Sequence, residues 1–323
     1  MQVSSTSYHR SKHLEEQELR PEEGSCPWCG CVNRATIVSL QLNPLVTLEE
    51  CPICFAVSAS RMPTDAALSN YYDSYYRGDK FHQAGAKVTV GSPHRMGNHV
   101  AQWMVDRDRG GALRILDFGG GDGSVATNAA EILLNRQQSM RQLEIAVVDY
   151  NPKPVQLSSE AIRLQHYPEL DDLPPGEFDF VIASAILEHI PAPSKVFDRL
   201  LGLVRHGGGF YARTPFVVPM LKLFRGIGVN MDFTFPAHLH DLGQSFWENQ
   251  FALAACKSGF RVVASRPSIV ETTFSNNFVR TLAAHLFKLP WFVFGRKWKL
   301  VGGWEVALER VNSQSSIKSP STT

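Results

Sequence analysis

Between residues 114 and 311, short apolar runs alternate with longer segments in which apolar residues recur every three or four positions. The short runs predict buried β-strands, and the longer segments predict helices. Such alternation is typical of a mostly parallel sheet with helices on both faces. The predicted strands are 114–118, 144–149, 178–184, 210–214, 260–264 and 304–309, and the predicted helices are 124–134, 193–204 and 245–258.

Composition divides the rest of the chain into further segments. Residues 1–24 are polar and charged and predict a flexible lead-in, and the Ser/Thr-rich residues 312–323 predict a disordered tail. Residues 25–62 contain five of the six cysteines. Residues 63–110 are rich in Tyr, His and Gly, which predicts a partly helical connector before an α/β domain at 111–311. A length of 323 residues agrees with about two folded domains.

The overall charge gives no argument for a nucleic-acid partner. The chain has 32 Lys and Arg residues against 31 Asp and Glu residues, so it lacks the basic excess that favours nucleic acids. The N-terminus has no apolar run typical of a signal peptide, and no run reaches the roughly 20 residues of a membrane helix. We therefore expect a soluble, cytoplasmic protein.

A glycine-rich stretch follows the first predicted strand of the α/β domain. Asp117 ends that strand, and Gly119, Gly121 and Gly123 lead into the next helix. Glycines let the backbone approach a ligand closely, and a helix N-terminus offers free N–H groups. A dinucleotide site is the alternative, but its usual spacing is G-x-G-x-x-G, and here the spacing is G-x-G-x-G. A second acid, Asp149, ends the next strand, where a ribose diol needs an acceptor.

These features resemble the motifs of class I S-adenosylmethionine-dependent methyltransferases. A third motif of that family reads Phe-Asp-Phe-Val at 178–181, followed by Leu-Glu-His at 187–189. The resemblance covers about residues 95–311 and implies a Rossmann-like methyltransferase fold with a seven-stranded sheet. It also implies that Gly119 and Gly121 pass under the methionine part of S-adenosylmethionine and that Asp149 binds the ribose hydroxyls.

The same resemblance suggests further cofactor contacts. Asp117 before the glycines and Ser184 at the end of the 178–184 strand are candidates. Tyrosines at 71, 72, 75 and 76 share one helical face, and such a segment folds over the cofactor in the resembling families, which makes Tyr76 a candidate. The alternative is a packing face. The acid that binds adenine would be Asp171 or Asp172, unless these form only a solvated turn before two prolines.

The cysteines form two C-x-x-C pairs, Cys26 with Cys29 and Cys51 with Cys54. Each pair places two thiolates on one tight turn, and two such turns make a tetrahedral Zn²⁺ site with no open position. We therefore predict a structural zinc ribbon, with redox chemistry by one pair as the alternative. Cys31 belongs to neither pair, and it could replace Cys29 as a ligand. A ribbon before a methyltransferase domain resembles bacterial sugar C-methyltransferases and related natural-product or polysaccharide enzymes, and secondly an rRNA guanine methyltransferase group.

Two histidines are candidates for the base that removes a proton from the methyl acceptor. His238 is the first choice, and His189, which follows the predicted strand 178–184, is the second. The sugar C-methyltransferases carry a Tyr-x-Glu-His-Leu stretch that His238-Leu239 partly matches, but Ala237 stands at the Glu position. This departure puts their deprotonation mechanism in doubt. A capping or packing histidine is the alternative for each position.

Two connections, 215–235 and 268–300, are long for simple loops, and such insertions often build a substrate pocket. Aromatic and basic residues at 286–299 could also contact a membrane surface or a lipid-linked sugar, or could simply cover the core. The leading hypothesis is a small-molecule methyltransferase acting on an O, N or C acceptor. An RNA methyltransferase and a non-catalytic binding protein with the same fold are the alternatives.

Overall fold

The computed structural model describes residues 2–4, 9–77, 93–104, 112–136, 142–149, 157, 159–269 and 278–311. The predicted tail, 312–323, therefore lies outside the described residues, as does part of the predicted connector. The strands are β1 (Gln2–Ser4), β2 (Ala35–Leu42), β3 (Leu45–Glu50), β4 (Val57–Ala59), β5 (Ala112–Phe118), β6 (Gln142–Val148), β7 (Ile162–Tyr167), β8 (Phe178–Ser184), β9 (Val204–Phe216), β10 (Asn230–Asp232), β11 (His240–Asp241), β12 (Phe260–Pro267) and β13 (Gly302–Arg310). The helices are α1 (Asp65–Arg77), α2 (Pro93–Ala101), α3 (Ser124–Arg136), α4 (Pro193–Leu203), α5 (Val218–Gly226), α6 (Gln244–Ser258) and α7 (Phe278–Phe294).

Seven strands form the central sheet in the order β12-β13-β9-β8-β5-β6-β7. Strands β5 to β9 pair in parallel, whereas β13 runs antiparallel to both β9 and β12. The inner strands are continuous apolar runs because both of their faces are covered, as in β8, where Phe180 and Ile182 pack on one side and Val181 and Ala183 on the other. The expected α/β sheet with seven strands is confirmed.

The cysteine segment forms a small antiparallel sheet of β2, β3 and β4. The two-residue strand β11, which comes much later in the sequence, pairs with β4 and extends this sheet. Trp28 fixes this sheet to the larger domain, because its ring lies 4.6 Å from that of Phe246 and 6.1 Å from that of Phe197 between centroids. Three of the ribbon cysteines belong to the same buried cluster as the central sheet. The two parts therefore share one hydrophobic core.

Several elements differ from their predicted bounds for local reasons. Helix α4 ends at Leu203, and the chain enters β9 directly at Val204, so the glycines at 207–209 lie inside a strand and do not stop the helix. Strand β7, which is not among the strands predicted from the sequence, pairs in parallel with β6. The long connection at 268–300 contains the 17-residue helix α7. Gly259 follows α6 with φ of +65°, the left-handed geometry expected after a helix.

Candidate cofactor and acceptor site

The glycine stretch forms a tight loop between β5 and α3 at the carboxyl edge of the sheet. Gly119, Gly121 and Gly123 have φ of +70°, +60° and +78°, which only glycine adopts without strain. The Gly121 N–H donates to the Asp149 carboxylate at 2.9 Å, and the Gly119 N–H donates to the Val148 carbonyl at 2.8 Å. The structure thus joins the two predicted cofactor motifs through the loop backbone.

Asp117 lies beneath this loop. Its side chain is buried, and it fills the space that a Cβ at Gly120 would occupy. Burial is the main cause that raises the pKa of Asp117 to about 7; a hydrogen bond from the backbone of Ala126 opposes the rise, and the negative charges of Asp149 and Asp122 add to it. The carboxyl group therefore supports the loop and the first turn of α3 from below.

Strand β8 places a second group of residues at the same edge. Ser184 ends the strand and is partly buried. The side chain of Ile186 fits against the loop so closely that a Cβ at Gly119 would lie 2.5 Å from it. The next residues form the 3-10 turn Leu187–His189. Glu188 is buried in this turn, and burial raises its pKa to about 8. Sequence reasoning took Glu188 only as part of a motif and gave it no role.

The two candidate bases lie side by side. The ring centroids of His189 and His238 are 5.0 Å apart. The His189 Nδ1 lies 2.7 Å from the Ala237 carbonyl, and the His238 Nδ1 lies 3.0 Å from the Thr234 hydroxyl. Burial lowers the pKa of His189 to about 4 and lowers that of His238 well below its usual value, so both rings are neutral near pH 7.

A third imidazole, which sequence reasoning missed, belongs to the predicted lead-in. The His9 ring lies 5.2 Å from the His189 ring and 5.7 Å from the His238 ring between centroids. Burial and the neighbouring His189 lower the pKa of His9 to about 3. Nothing in the polar segment 1–24 distinguishes His9 from the other histidines of the chain, because its position depends on contacts distant in sequence.

The tyrosine segment lies beside these histidines. Tyr72 on α1 places its hydroxyl 3.1 Å from His189 Nδ1, and Tyr71 is buried. The side chain of Tyr76 lies outside the described residues. Asp171 follows β7 as expected, but its carboxylate is 89% exposed and lies 3.6 Å from Arg199. This geometry is that of a solvated acidic turn, so the adenine role of Asp171 stays a prediction.

The ribbon brings together the four cysteines of the two C-x-x-C pairs. Their Sγ atoms all lie within 4.8 Å of one another, and the Cys26–Cys54 and Cys29–Cys51 pairs are 3.5 Å apart. A disulfide needs about 2.05 Å, whereas sulfurs around tetrahedral Zn²⁺ are about 3.8 Å apart. Cys31 contacts the Asn33 carbonyl and lies outside this set. The arrangement fits a zinc ribbon better than a redox pair.

Comparison with known proteins agrees with this geometry. The methyltransferase domain family matches residues 79–265, more than half of the chain, including the glycine loop and both candidate bases. The chain belongs to this family. It is 31% identical over 147 residues to methyltransferase str3 of Strobilurus tenacellus, which covers 42% of this chain and 50% of that protein. It is also 31% identical over 124 residues to the ubiquinone biosynthesis O-methyltransferase of Dechloromonas aromatica, covering 36% of this chain and 50% of the relative.

The chain thus spans about half the length of the curated relatives that it matches. Solved structures show only a distant likeness. Magnesium protoporphyrin IX methyltransferase from Synechocystis aligns with a TM-score of 0.42 and 14% identity, over 68% of this chain and 84% of that one. Phosphoethanolamine N-methyltransferase 2 from Haemonchus contortus aligns with a TM-score of 0.41 and 14% identity, over 79% and 63%. Among the described residues, no helix has the length and apolar character needed to span a membrane.

Proposed function

We propose that the protein is an S-adenosylmethionine-dependent methyltransferase that acts on an O, N or C atom of a small molecule, such as a sugar, natural-product or polysaccharide precursor. The main support for this proposal is the hydrogen bond from the Gly121 N–H to the Asp149 carboxylate, which joins the glycine loop and the acid at the carboxyl edge of the sheet. Family membership supports it, and the ubiquinone relative provides a precedent for a small-molecule acceptor.

The residues present fit the cofactor. The left-handed backbone at Gly119 and Gly121 suits glycine, which has no side chain to keep the loop backbone away from the methionine part. Asp149, which already accepts from the Gly121 N–H, would accept hydrogen bonds from the ribose hydroxyls, and Asp117 lies beneath the loop. Ser184 borders the same edge, and Tyr76 and Asp171 remain candidates for the outer contacts. When bound, S-adenosylmethionine supplies a methyl group on a positively charged sulfur, which a nucleophile aligned with the carbon–sulfur bond can attack.

The acceptor would lie between the loop and the two histidines. Ile186 contacts Gly119, and His189 follows only three residues later, so the imidazoles lie next to the proposed cofactor position. The hydrogen bonds of His189 and His238 fix both rings, which orients an acceptor and so lowers the entropic part of the barrier. Their lowered pKa values make both rings weak bases. His238 and His189 would therefore act mainly by holding the acceptor's hydroxyl or amine.

Isothermal titration calorimetry tests the cofactor assignment. We expect the protein to bind S-adenosylmethionine and its demethylated product, and expect Asp149→Ala and Gly121→Val to weaken both strongly. Asp198→Ala, which removes an exposed carboxylate on α4, should bind like the wild type. If the wild type binds neither compound, the proposed function is wrong.

We also propose that the four clustered cysteines hold a structural Zn²⁺. Four thiolates satisfy the tetrahedral ion and leave no position for a substrate, so its role is to stabilise the fold. Three of these cysteines are buried in the core shared with the central sheet. Loss of the ion would therefore loosen the methyltransferase domain as well as the ribbon.

The outer face of α7 supports one partner, the surface of an anionic membrane. Lys288 and Trp291 face inward, where Lys288 is buried and Trp291 packs 5.5 Å from Trp304 between centroids. The opposite face presents apolar side chains that are each between 46% and 77% exposed, namely Leu282, Leu286, Phe287, Leu289, Phe292, Val293 and Phe294. Basic Arg296, with its side chain 75% exposed, follows directly. Apolar and basic groups in this order are typical of interfacial helices, which attract negatively charged lipids. A lipid-linked acceptor would reach the enzyme there.

A further inference from the structure

We propose that His9, His189 and His238 form a second metal site, which holds a divalent transition-metal ion such as Zn²⁺ beside the proposed cofactor position. One nitrogen from each imidazole lies within 4.8 Å of the other two. Three histidines with an open fourth position are the ligand set of catalytic zinc sites, in contrast to the closed set of four thiolates in the ribbon. The site itself does not depend on the proposed function, although its role toward an acceptor does.

The orientation of two rings supports ligation. The His189 Nδ1–H donates to the Ala237 carbonyl at 2.7 Å, so its Nε2 carries the lone pair. The Thr234 hydroxyl donates to the Phe233 carbonyl at 2.5 Å, so it can only accept from the His238 Nδ1–H. His238 therefore also presents a bare Nε2. A ring N–H that donates to a backbone carbonyl, as in His189, is a usual outer-shell pattern of metal-binding histidines, and the Thr234 hydroxyl orients the His238 ring in the same sense.

Contacts on either side of His9 fix its position at this cluster. The Tyr71 hydroxyl donates to the Arg10 carbonyl at 2.9 Å, and the Lys12 N–H donates to the Phe235 carbonyl at 2.9 Å. The lead-in is thus attached both to α1 and to the stretch that carries His238. A metal at about 2.0–2.1 Å from each nitrogen places the nitrogens about 3.4 Å apart. Because they lie within 4.8 Å of one another in the structure, the rings need to approach by about 1.4 Å at most.

The cluster lies where a bound metal ion could contact the methyl acceptor. Only Leu187 and Glu188 separate His189 from Ile186, which packs against Gly119 of the glycine loop. An ion held by three histidines would keep its fourth position for an oxygen or nitrogen of the acceptor. The two candidate bases would then act as ligands, and His9 would be a specificity-determining residue that selects acceptors able to bind a metal.

Cobalt titration of the full-length protein tests this site. The apoprotein should bind two equivalents of Co²⁺, one with the intense thiolate-to-cobalt charge-transfer band of the ribbon and one with only weak d–d bands. His9→Ala should weaken the second equivalent by about 100-fold or more, beyond the effect of losing an outer-shell partner. His9→Asp should retain it, because a carboxylate can replace the imidazole. His13→Ala, an exposed histidine of the same segment, should bind both equivalents.

Two results would overturn the proposal: a single equivalent with only the thiolate signature in the wild type, or unchanged binding of the second equivalent by His9→Ala. Thermal unfolding of each variant shows whether the fold is retained, and His9→Asp decides the case if His9→Ala is unstable. Two equivalents in a protein that fails to bind S-adenosylmethionine would support the metal site and refute the proposed function, so the two failures are distinguishable.

Discussion

Two features require glycine at position 119 of the cofactor loop: its left-handed backbone and the close approach of Ile186. Replacing Gly119 by alanine tests both. The residue has φ of +70°, and left-handed backbone costs an L-residue roughly 1–2 kcal/mol. In addition, the new Cβ would lie 2.5 Å from Cγ1 and 2.7 Å from Cδ1 of Ile186. Overpacking of this kind costs about 1–3 kcal/mol. We therefore expect Gly119→Ala to lower the free energy of unfolding by about 2–5 kcal/mol.

Gly176 provides a matched control. Its φ is +69°, but a Cβ there would meet nothing within 4 Å. Gly176→Ala should therefore show the backbone cost alone, about 1–2 kcal/mol. Urea unfolding of both variants without cofactor, at one pH, measures the difference. Calorimetry should show that Gly119→Ala also weakens S-adenosylmethionine binding, whereas Gly176→Ala should leave it unchanged.

The contact itself can be isolated by a double-mutant cycle. Ile186→Ala removes Cγ1 and Cδ1, the two atoms closest to the new Cβ, but keeps the Ile186 Cβ at 2.8 Å. It should therefore recover part of the overpacking cost of about 1–3 kcal/mol in the Gly119→Ala background, relative to its effect in the wild type. Equal destabilisation by Gly119→Ala and Gly176→Ala, or no coupling between positions 119 and 186, would refute the idea that Ile186, just after β8, packs tightly against the loop.

Three further predictions concern the ribbon, a buried acid and the outer helix. Trp28→Ala should lower the free energy of unfolding by about 3–5 kcal/mol and Trp28→Phe by less, as measured in urea, because the indole joins the two domains. Burial raises the pKa of Asp241 to about 7, so the folded protein holds this proton more tightly than the unfolded chain, and the stability contribution of the group falls between about pH 4 and pH 7. Asp241→Asn should flatten that part of the stability profile, and an unchanged profile would contradict the assignment. Phe292→Asp should reduce flotation with vesicles containing phosphatidylserine at least tenfold, whereas Val32→Asp on the ribbon should not; absence of wild-type binding would rule out this surface.

The sequence was sufficient for the features that depend on neighbours along the chain. The glycine spacing, the acids that end β5 and β6, and the two C-x-x-C turns are local patterns, and the structure places each where its pattern indicated. The apolar runs also located the inner strands to within a few residues, because strands covered on both faces have few other ways to be buried.

The residues of the acceptor site could not be grouped from the sequence, because they are far apart along the chain and come together only in the folded protein. His9 and His238 are 229 positions apart, and neither has a local pattern that names the other. Strand β11 contains two residues, too few for any periodicity, and forms because Ser58 and Val57 offer a free sheet edge. The burial that raises the pKa of Glu188 comes from the surrounding packing, which composition does not reveal.

The stretch from 234 to 241 has a consequence for how the protein can be divided. Within eight residues it carries His238 of the acceptor site, His240, whose two ring nitrogens contact Ser58 and the Ile190 carbonyl, and Asp241, which binds the first backbone N–H groups of α5. This short segment therefore contacts the ribbon and the start of α5 and also contributes to the proposed acceptor site. Cutting the chain after residue 62 would remove His9 from beside His238 and Ser58 from His240, so we do not expect the remaining part to work as a catalytic domain on its own.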